Sequence, residues 1–278
     1  MRLRILTTLA LLLAVSLSLS ADGDSAVPSH VQQIKQTRGD CEGCDLSGAN
    51  FAGLNFTGAR LFRANLNGAY LVRTNFTRGD FTETKFQGAN LSGANLTGAV
   101  FKETDLQGAV LNGVNLTRAN FSSYANFNRA GLISTNLSGK NLEYLGLDEA
   151  NLSQANLSGT IASGKGFDRT IFNGAILNYA NFSDASFDRA SLAGASLVGT
   201  NLNESNFSGS NLSGANLRNA KLRNATLSET NLIKADLRGA DLSNANLRNS
   251  NLGGANINGA NFCRATLPDG RISRYGCP

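Results

Sequence analysis

The chain has 278 residues, of which 41% are hydrophobic and 16% charged, with a formal net charge of +5, one histidine, four cysteines and no tryptophan. A single histidine rules out histidine-rich metal clusters and leaves any histidine-based catalytic set with His30 as its one possible imidazole. The mild positive charge would suit an anionic partner. No aromatics interleave with the basic residues, however, which argues against a single-stranded nucleic-acid binder.

The N-terminus reads as a targeting segment. Arg2 and Arg4 precede an apolar run from Ile5 to Leu19, and Ser18, Ser20 and Ala21 supply small residues at a cut. That pattern predicts a signal peptide over residues 1–20. The run is short for a bilayer span, so no transmembrane segment is expected after its removal. Loss of Arg2 and Arg4 lowers the net charge from +5 to +3. Residues 21–43 form a polar lead-in. Ser29 is placed to cap a short helix over 30–38, with Val31 and Ile34 on one face. Such a helix would cover an open end of the fold, with His30 as an exposed part of that lid.

From Cys44 to Leu267 the chain repeats every five residues. The strip Ala89-Asn-Leu-Ser-Gly-Ala-Asn-Leu-Thr-Gly98 shows the unit. Call the central Leu or Phe position i. It recurs in steps of five from Leu46 to Phe121, slips by one residue to Phe127, then continues to Leu267. Only Ala162 is small there. Position i−2 is small as well, as in Ala49, Ala59, Ala64, Thr74 and Ala89. A period of five fits neither a helix nor a strand, so each unit contains its own corner and the chain is a solenoid. Gly is common at i+2, where it permits turn dihedrals, and Asn at i−1, where a short amide bonds to backbone.

Charged residues at i−1 test the coil length. Arg60 precedes Asp80, Lys85 precedes Asp105 and Lys221 precedes Asp241, each by 20 residues, so a 20-residue coil stacks each as an ion pair. A 15-residue coil pairs Asp45 with Arg60 and Lys221 with Asp236 instead, so spacing alone leaves both open. With 20, Phe81/Phe101/Phe121 and Phe167/Phe187/Phe207 form internal aromatic stacks.

The cysteines fall at the two ends, Cys41/Cys44 and Cys263/Cys277. In an exported chain both pairs are disulfide candidates. Cys41-Glu-Gly-Cys44 also fits a redox motif, but it lacks the thioredoxin-like setting such a motif needs. A four-cysteine zinc site would require the two ends to meet. Free thiols complete the alternatives. Residues 268–278 are expected to close the second end.

Three departures from the repeat stand out: the slip within Ser122–Asn126, Leu145-Gly146, and Gly164-Lys165-Gly166. Ala125, Leu145 and Lys165 are i−2 positions 20 apart, so all three fall on one side of consecutive coils, flanked by Tyr124 and Tyr144. Leu and Lys in slots cut for Ala should push the wall outward. Tyr124, Tyr144, Leu145 and Lys165 are therefore a candidate recognition face. Beyond Asn211, nine basic residues stand against four acids, which makes Arg218, Arg223 and Arg238 a candidate basic patch. No catalytic set, cofactor loop or metal-ligand cluster is evident, and no cofactor is expected.

The units match the A(D/N)LXX signature over most of the chain, which therefore resembles the pentapeptide repeat proteins. The start Cys41-Glu-Gly-Cys44-Asp-Leu-Ser-Gly-Ala49 resembles that of exported members. The resemblance implies an all-β, right-handed, four-sided β-helix of about eleven coils over 44–267, on the order of 50 Å long at ~4.8 Å per coil. It also implies a non-enzymatic scaffold that binds an unknown protein in the periplasm, or in the thylakoid lumen of a photosynthetic source. The family's best-known activity, DNA mimicry against type II topoisomerases, needs strong negative charge and a cytoplasmic location. A basic, exported chain fits it poorly.

Overall fold

The computed structural model describes residues 26–277. From Asp45 onward parallel bridges join residues 20 apart, beginning Asp45 to Asn65, Asn50 to Tyr70, Asn55 to Asn75 and Arg60 to Asp80. Four five-residue units therefore close each coil, and the coils stack as a β-helix solenoid. The 15-residue alternative is excluded.

The hydrogen bonds explain the period. The N–H of the centre donates to the next coil, as Leu46 does to Asn65 O at 2.7 Å, and so does the N–H two residues later, as Gly48 does to Asn67 O at 2.8 Å. The residue before the centre donates the opposite way, as in Asn65 to Cys44 O at 2.8 Å. The N–H three residues after the centre closes the corner, as in Ala49 to Leu46 O at 3.1 Å. The remaining N–H, just after the centre, finds the side-chain oxygen of the Asn or Asp before it, as Ala52 does with Asn50 Oδ1 at 3.1 Å. All five N–H groups of a unit are thus satisfied, and the Asn at i−1 supplies the fifth acceptor. Position i+2 takes a positive φ whether glycine fills it or not: Gly98 has φ 72° and Arg63 has φ 57°.

The interior is solid. The centres and the i−2 residues point inward, and nearly all are buried. Phe167 and Phe187 stack at 5.2 Å, Phe187 and Phe207 at 4.7 Å with rings 1° from parallel, and Phe101 and Phe121 at 5.4 Å. Where Thr replaces Ala at i−2, its hydroxyl reaches a carbonyl, so burial leaves it satisfied. Thr74 donates to Phe51 O, Thr104 to Phe81 O and Thr200 to Leu177 O, at 2.8–2.9 Å. Thr200→Val keeps the volume and removes that bond. It is expected to cost about 1–2 kcal/mol in denaturant unfolding.

Helix α1, Pro28–Thr37, lies over the first coil with Ile34 buried. Its start differs from the sequence expectation. Ser29 is not the cap, because Pro28 already occupies the first turn, where its fixed φ is preorganised. Val27 is the N-cap residue, and its carbonyl accepts from the N–H groups of His30 and Val31. The helix ends at Arg38 in the left-handed region, followed by Gly39, where a Cβ would lie 2.5 Å from that of Ala59. His30 Nδ1 accepts the Asp45 N–H at 3.0 Å and so satisfies a donor on the first coil. Disulfide Cys41–Cys44 follows the helix.

At the far end the chain turns back. Thr266 bridges Ile272 antiparallel, Phe262 N–H donates to Tyr275 O and Arg264 N–H to Ser273 O, and disulfide Cys263–Cys277 ties the tail down. The predicted segment 1–20 lies outside the described residues. Among the described residues no helix is long and apolar enough to cross a membrane.

The ion-pair expectation needs correction. Arg60/Asp80, Lys85/Asp105 and Lys221/Asp241 are all in bridge register, but none of the three forms an ion pair. Arg60 turns to Asp40 instead at 2.8 Å, Asp105 accepts from Gln87 Nε2, and Asp241 faces Arg223 at 3.9 Å. Outward side chains 20 apart stand side by side on a solvated wall, where an alternative partner costs little. Hydrogen bonds from Arg60 hold the Asp40 carboxyl below its usual value of 3.8. The stability this adds is present above that value and lost as pH falls through the lowered one. Asp40→Asn should abolish this part of the acid dependence of thermal unfolding.

Candidate functional site

The regular wall is interrupted at the one-residue slip. Below it Val100 bridges Asn120, and one side further on Asp105 bridges Asn126, so the extra residue lies between them. Among the described residues no bridge joins Asn120 to Asn141. The wall parts there into a shallow cleft of about 320 Å³ lined by Ala119, Asn120, Phe121, Ser122, Lys140 and Asn141. Phe121 is 8% exposed at its edge, whereas the other phenylalanine centres are almost fully covered.

Lys140 was missed in the sequence reading, although it sits at i−2 as Lys165 does. Its Nζ donates to Ala119 O at 2.7 Å across the break, and burial lowers its pKa from the usual lysine value. It thus replaces a backbone bond that the slip removes. Lys140→Met is expected to cost about 1 kcal/mol and to speed amide exchange selectively at 119–123.

Past the slip the ladder recovers as two short parallel strands, β1 (Ala125–Asn126) paired with β2 (Leu145–Gly146). Tyr124 is 50% and Tyr144 48% exposed. They are neighbours on one corner, since Ala125 N–H donates to Tyr144 O at 2.9 Å. The Tyr124 hydroxyl lies over Gly146, where a Cβ would meet it at 2.8 Å. A side chain at 146 would have to displace that hydroxyl and the Asn128 Oδ1, 2.9 Å away. Leu145, by contrast, is 1% exposed and belongs to the core, so its side chain takes no part in a surface. It packs among Leu116, Phe127, Leu132, Leu137 and Leu147. Lys165 is half-buried.

Gly146 and Gly166 also lack the i−1 acceptor. A relay between coils replaces it: Asn128 Oδ1 accepts from Asp148 N–H at 3.0 Å, and Asp148 Oδ1 from Asp168 N–H at 3.2 Å. The same substitution recurs elsewhere, as Asn178 Oδ1 accepts from Val198 N–H above Ser196. The signal was present in the sequence, as an Asn or Asp at i+1 standing 20 residues before a unit without one at i−1. Beside this row Glu149 pairs with Arg129 at 2.9 Å and contacts Arg169 at 3.9 Å. Arg129 lowers the Glu149 pKa by hydrogen bonding to it.

The basic residues do not make one patch. Arg218 and Arg238 share a side, but Arg238 is clamped by Asp236 at 2.6 Å, while Arg223 lies on the next side, facing Asp241. The reading also missed outward apolar residues: Ile161, Ile176 and Tyr179 are exposed. Ile161 and Ile176 occupy i−1 slots usually held by Asn, which was the available signal. Among the described residues no group of three or more His, Cys, Asp or Glu is placed to hold a metal ion.

These observations define a solenoid of five-residue units with an irregular middle. The family model for pentapeptide repeats matches in eight copies, over residues 40–78, 84–123, 150–189, 185–224, 210–249 and 245–272, and the chain belongs to that family. Among solved structures, it is 27% identical to HetL, a pentapeptide repeat protein involved in heterocyst differentiation regulation from the cyanobacterium Nostoc sp. strain PCC 7120, covering 88% of this chain and 98% of that one with a TM-score of 0.36. It is 33% identical to a pentapeptide repeat protein of the Arabidopsis thaliana thylakoid lumen over 38% of this chain and 70% of that one, TM-score 0.25. Trypsin-treated QnrB1, a plasmid-mediated fluoroquinolone resistance protein, is 22% identical over 70% of this chain and 87% of that one, TM-score 0.30. No curated protein matches.

Proposed function

We propose that this chain is a non-enzymatic scaffold, a rod of about eleven coils closed by α1, that is exported and holds another protein against its wall. The carrying observation is the order of that wall. Side-chain oxygens cap backbone N–H groups in unit after unit, either within the unit or across coils. Outward groups are thereby fixed at the ~4.8 Å spacing of the coils, which is the preorganisation that favours a rigid partner. The two disulfides support an oxidising compartment, the periplasm or a thylakoid lumen. The corner carrying Tyr124 and Tyr144, with Lys165 beside it, is the side we assign to recognition, because exposed tyrosines supply much of the energy in protein interfaces.

Capture from a periplasmic extract with the tagged chain tests this reading. A saturable partner whose retention falls about tenfold or more in Tyr124→Ala/Tyr144→Ala supports it. Retention no better than that on an unrelated β-helix would overturn it. The positive charge opposes action as a DNA surrogate, so gyrase supercoiling should be unchanged by the purified chain.

A further inference from the structure

The last coil is only half covered. The tail pairs with residues 262–267, where disulfide Cys263–Cys277 ties it to that side. Among the described residues nothing pairs with the other half, residues 252–259. One coil below, the N–H groups of Leu232, Lys234, Leu237 and Gly239 all donate upward, at 2.8–3.2 Å. Their successors on Leu252, Gly254, Ile257 and Gly259 have no acceptor among the described residues. The carbonyls of Ser250 and Ala255 likewise lack the donors that Thr230 and Ala235 have. Leu252 and Ala255 are half-buried and Ile257 is 39% exposed, although the equivalent residues below are core. This is an open strand edge with an apolar floor, the feature to which extended peptides add.

Basic residues outnumber acids in this last third of the chain. Of the nine basic residues beyond Asn211, three are engaged: Arg223 with Asp241, Arg238 with Asp236 and Arg271 with Asp269. Arg218, Lys221, Lys234, Arg248, Arg264 and Arg274 form no ion pair among the described residues, and Glu229 is the acid left over. Lys234 lies directly beneath the edge, its Cγ 3.6 Å from where a Gly254 Cβ would stand.

We infer that the open edge at residues 252–259 binds an extended acidic segment of a partner protein, which adds as a further strand. The inference rests on the scaffold reading above and assigns the partner's contact chemistry. Backbone pairing would come from the four N–H groups, apolar contact from Leu252 and Ile257, and the preference for acid from Lys234 and its neighbours.

A labelled, end-blocked peptide, Ala-Asp-Leu-Glu-Gly-Ala-Asp-Leu-Glu-Gly, supplies the test by fluorescence anisotropy with the full chain. Saturable binding is expected, about tenfold tighter than for the same peptide with Lys at every acid, and this preference should shrink at high salt. Ile257→Pro deletes one donor at an exposed position and should weaken binding about tenfold, whereas Ile257→Thr, which keeps the N–H, should weaken it less. Equal binding of both peptides, no binding, or an unchanged Ile257→Pro overturns the proposal. So does self-association by light scattering that Ile257→Pro abolishes, since the edge would then join two copies. If extract capture survives Ile257→Pro while the peptide fails to bind, the scaffold reading stands and only this site falls.

Discussion

Phe187→Ala is expected to destabilise the middle of the rod by about 3–5 kcal/mol. Four rings meet Phe187: Phe167 at 5.2 Å, Phe207 at 4.7 Å, Phe172 at 5.8 Å and Phe182 at 5.5 Å. The backbone around the resulting hole is bonded to the coils on both sides, so it cannot collapse, and the cost should lie at the upper end of the range. Phe121→Ala is the internal comparison. Phe121 borders the cleft at the slip, is partly exposed, and has two ring neighbours, Phe101 and Phe127. Its loss should cost distinctly less. Because a solenoid unfolds by neighbouring repeats, the check is urea unfolding with amide exchange resolved along the chain. Faster exchange should centre on residues 167–207 for Phe187→Ala. Equal costs at the two sites would mean that the stack is not what holds the middle together.

Loss of the Cys263–Cys277 bridge should have the next largest effect. It closes a separation of 14 residues, for which loop entropy gives about 3 kcal/mol. The effect should be local. Released, the tail would uncover Phe262, Ala265 and the N–H groups of Phe262 and Arg264, which Tyr275 and Ser273 now satisfy. Cys263→Ser/Cys277→Ser should therefore fray the last coil, lower the first thermal transition and speed proteolysis there, with the first coils unaffected. The bridge Cys41–Cys44 spans only three residues, so its removal should cost much less. A uniform loss of stability along the rod would contradict this picture.

The solenoid was legible because its cause is local. Each unit satisfies four of its N–H groups through backbone spacing and most satisfy the fifth through their own Asn, so the requirement is written again every five residues. The inward pair at i and i−2 follows from the same arithmetic, whereas the Phe167/Phe187/Phe207 stack follows only once a coil is known to take 20 residues. The candidate recognition face was only partly legible. Its corner position followed from counting by 20, but Leu145 turned out to be core, packed among residues of neighbouring coils such as Leu116 and Phe127, and no local rule links those positions.

By itself, then, the sequence determined the unit, its inward residues and the places where the pattern fails. The length of a coil was decided only by tertiary structure, since Arg60 suits Asp45 and Asp80 equally well on paper. So were the ion pairs, which depend on where flexible outward side chains find partners. Lys140 reaching across the slip, the relay from Asn128 through Asp148 to Asp168, and the half-open last coil belong to the same class. Lys140 and the relay join residues about 20 apart in sequence and one coil apart in space, and such relations exist only once the chain has wound upon itself.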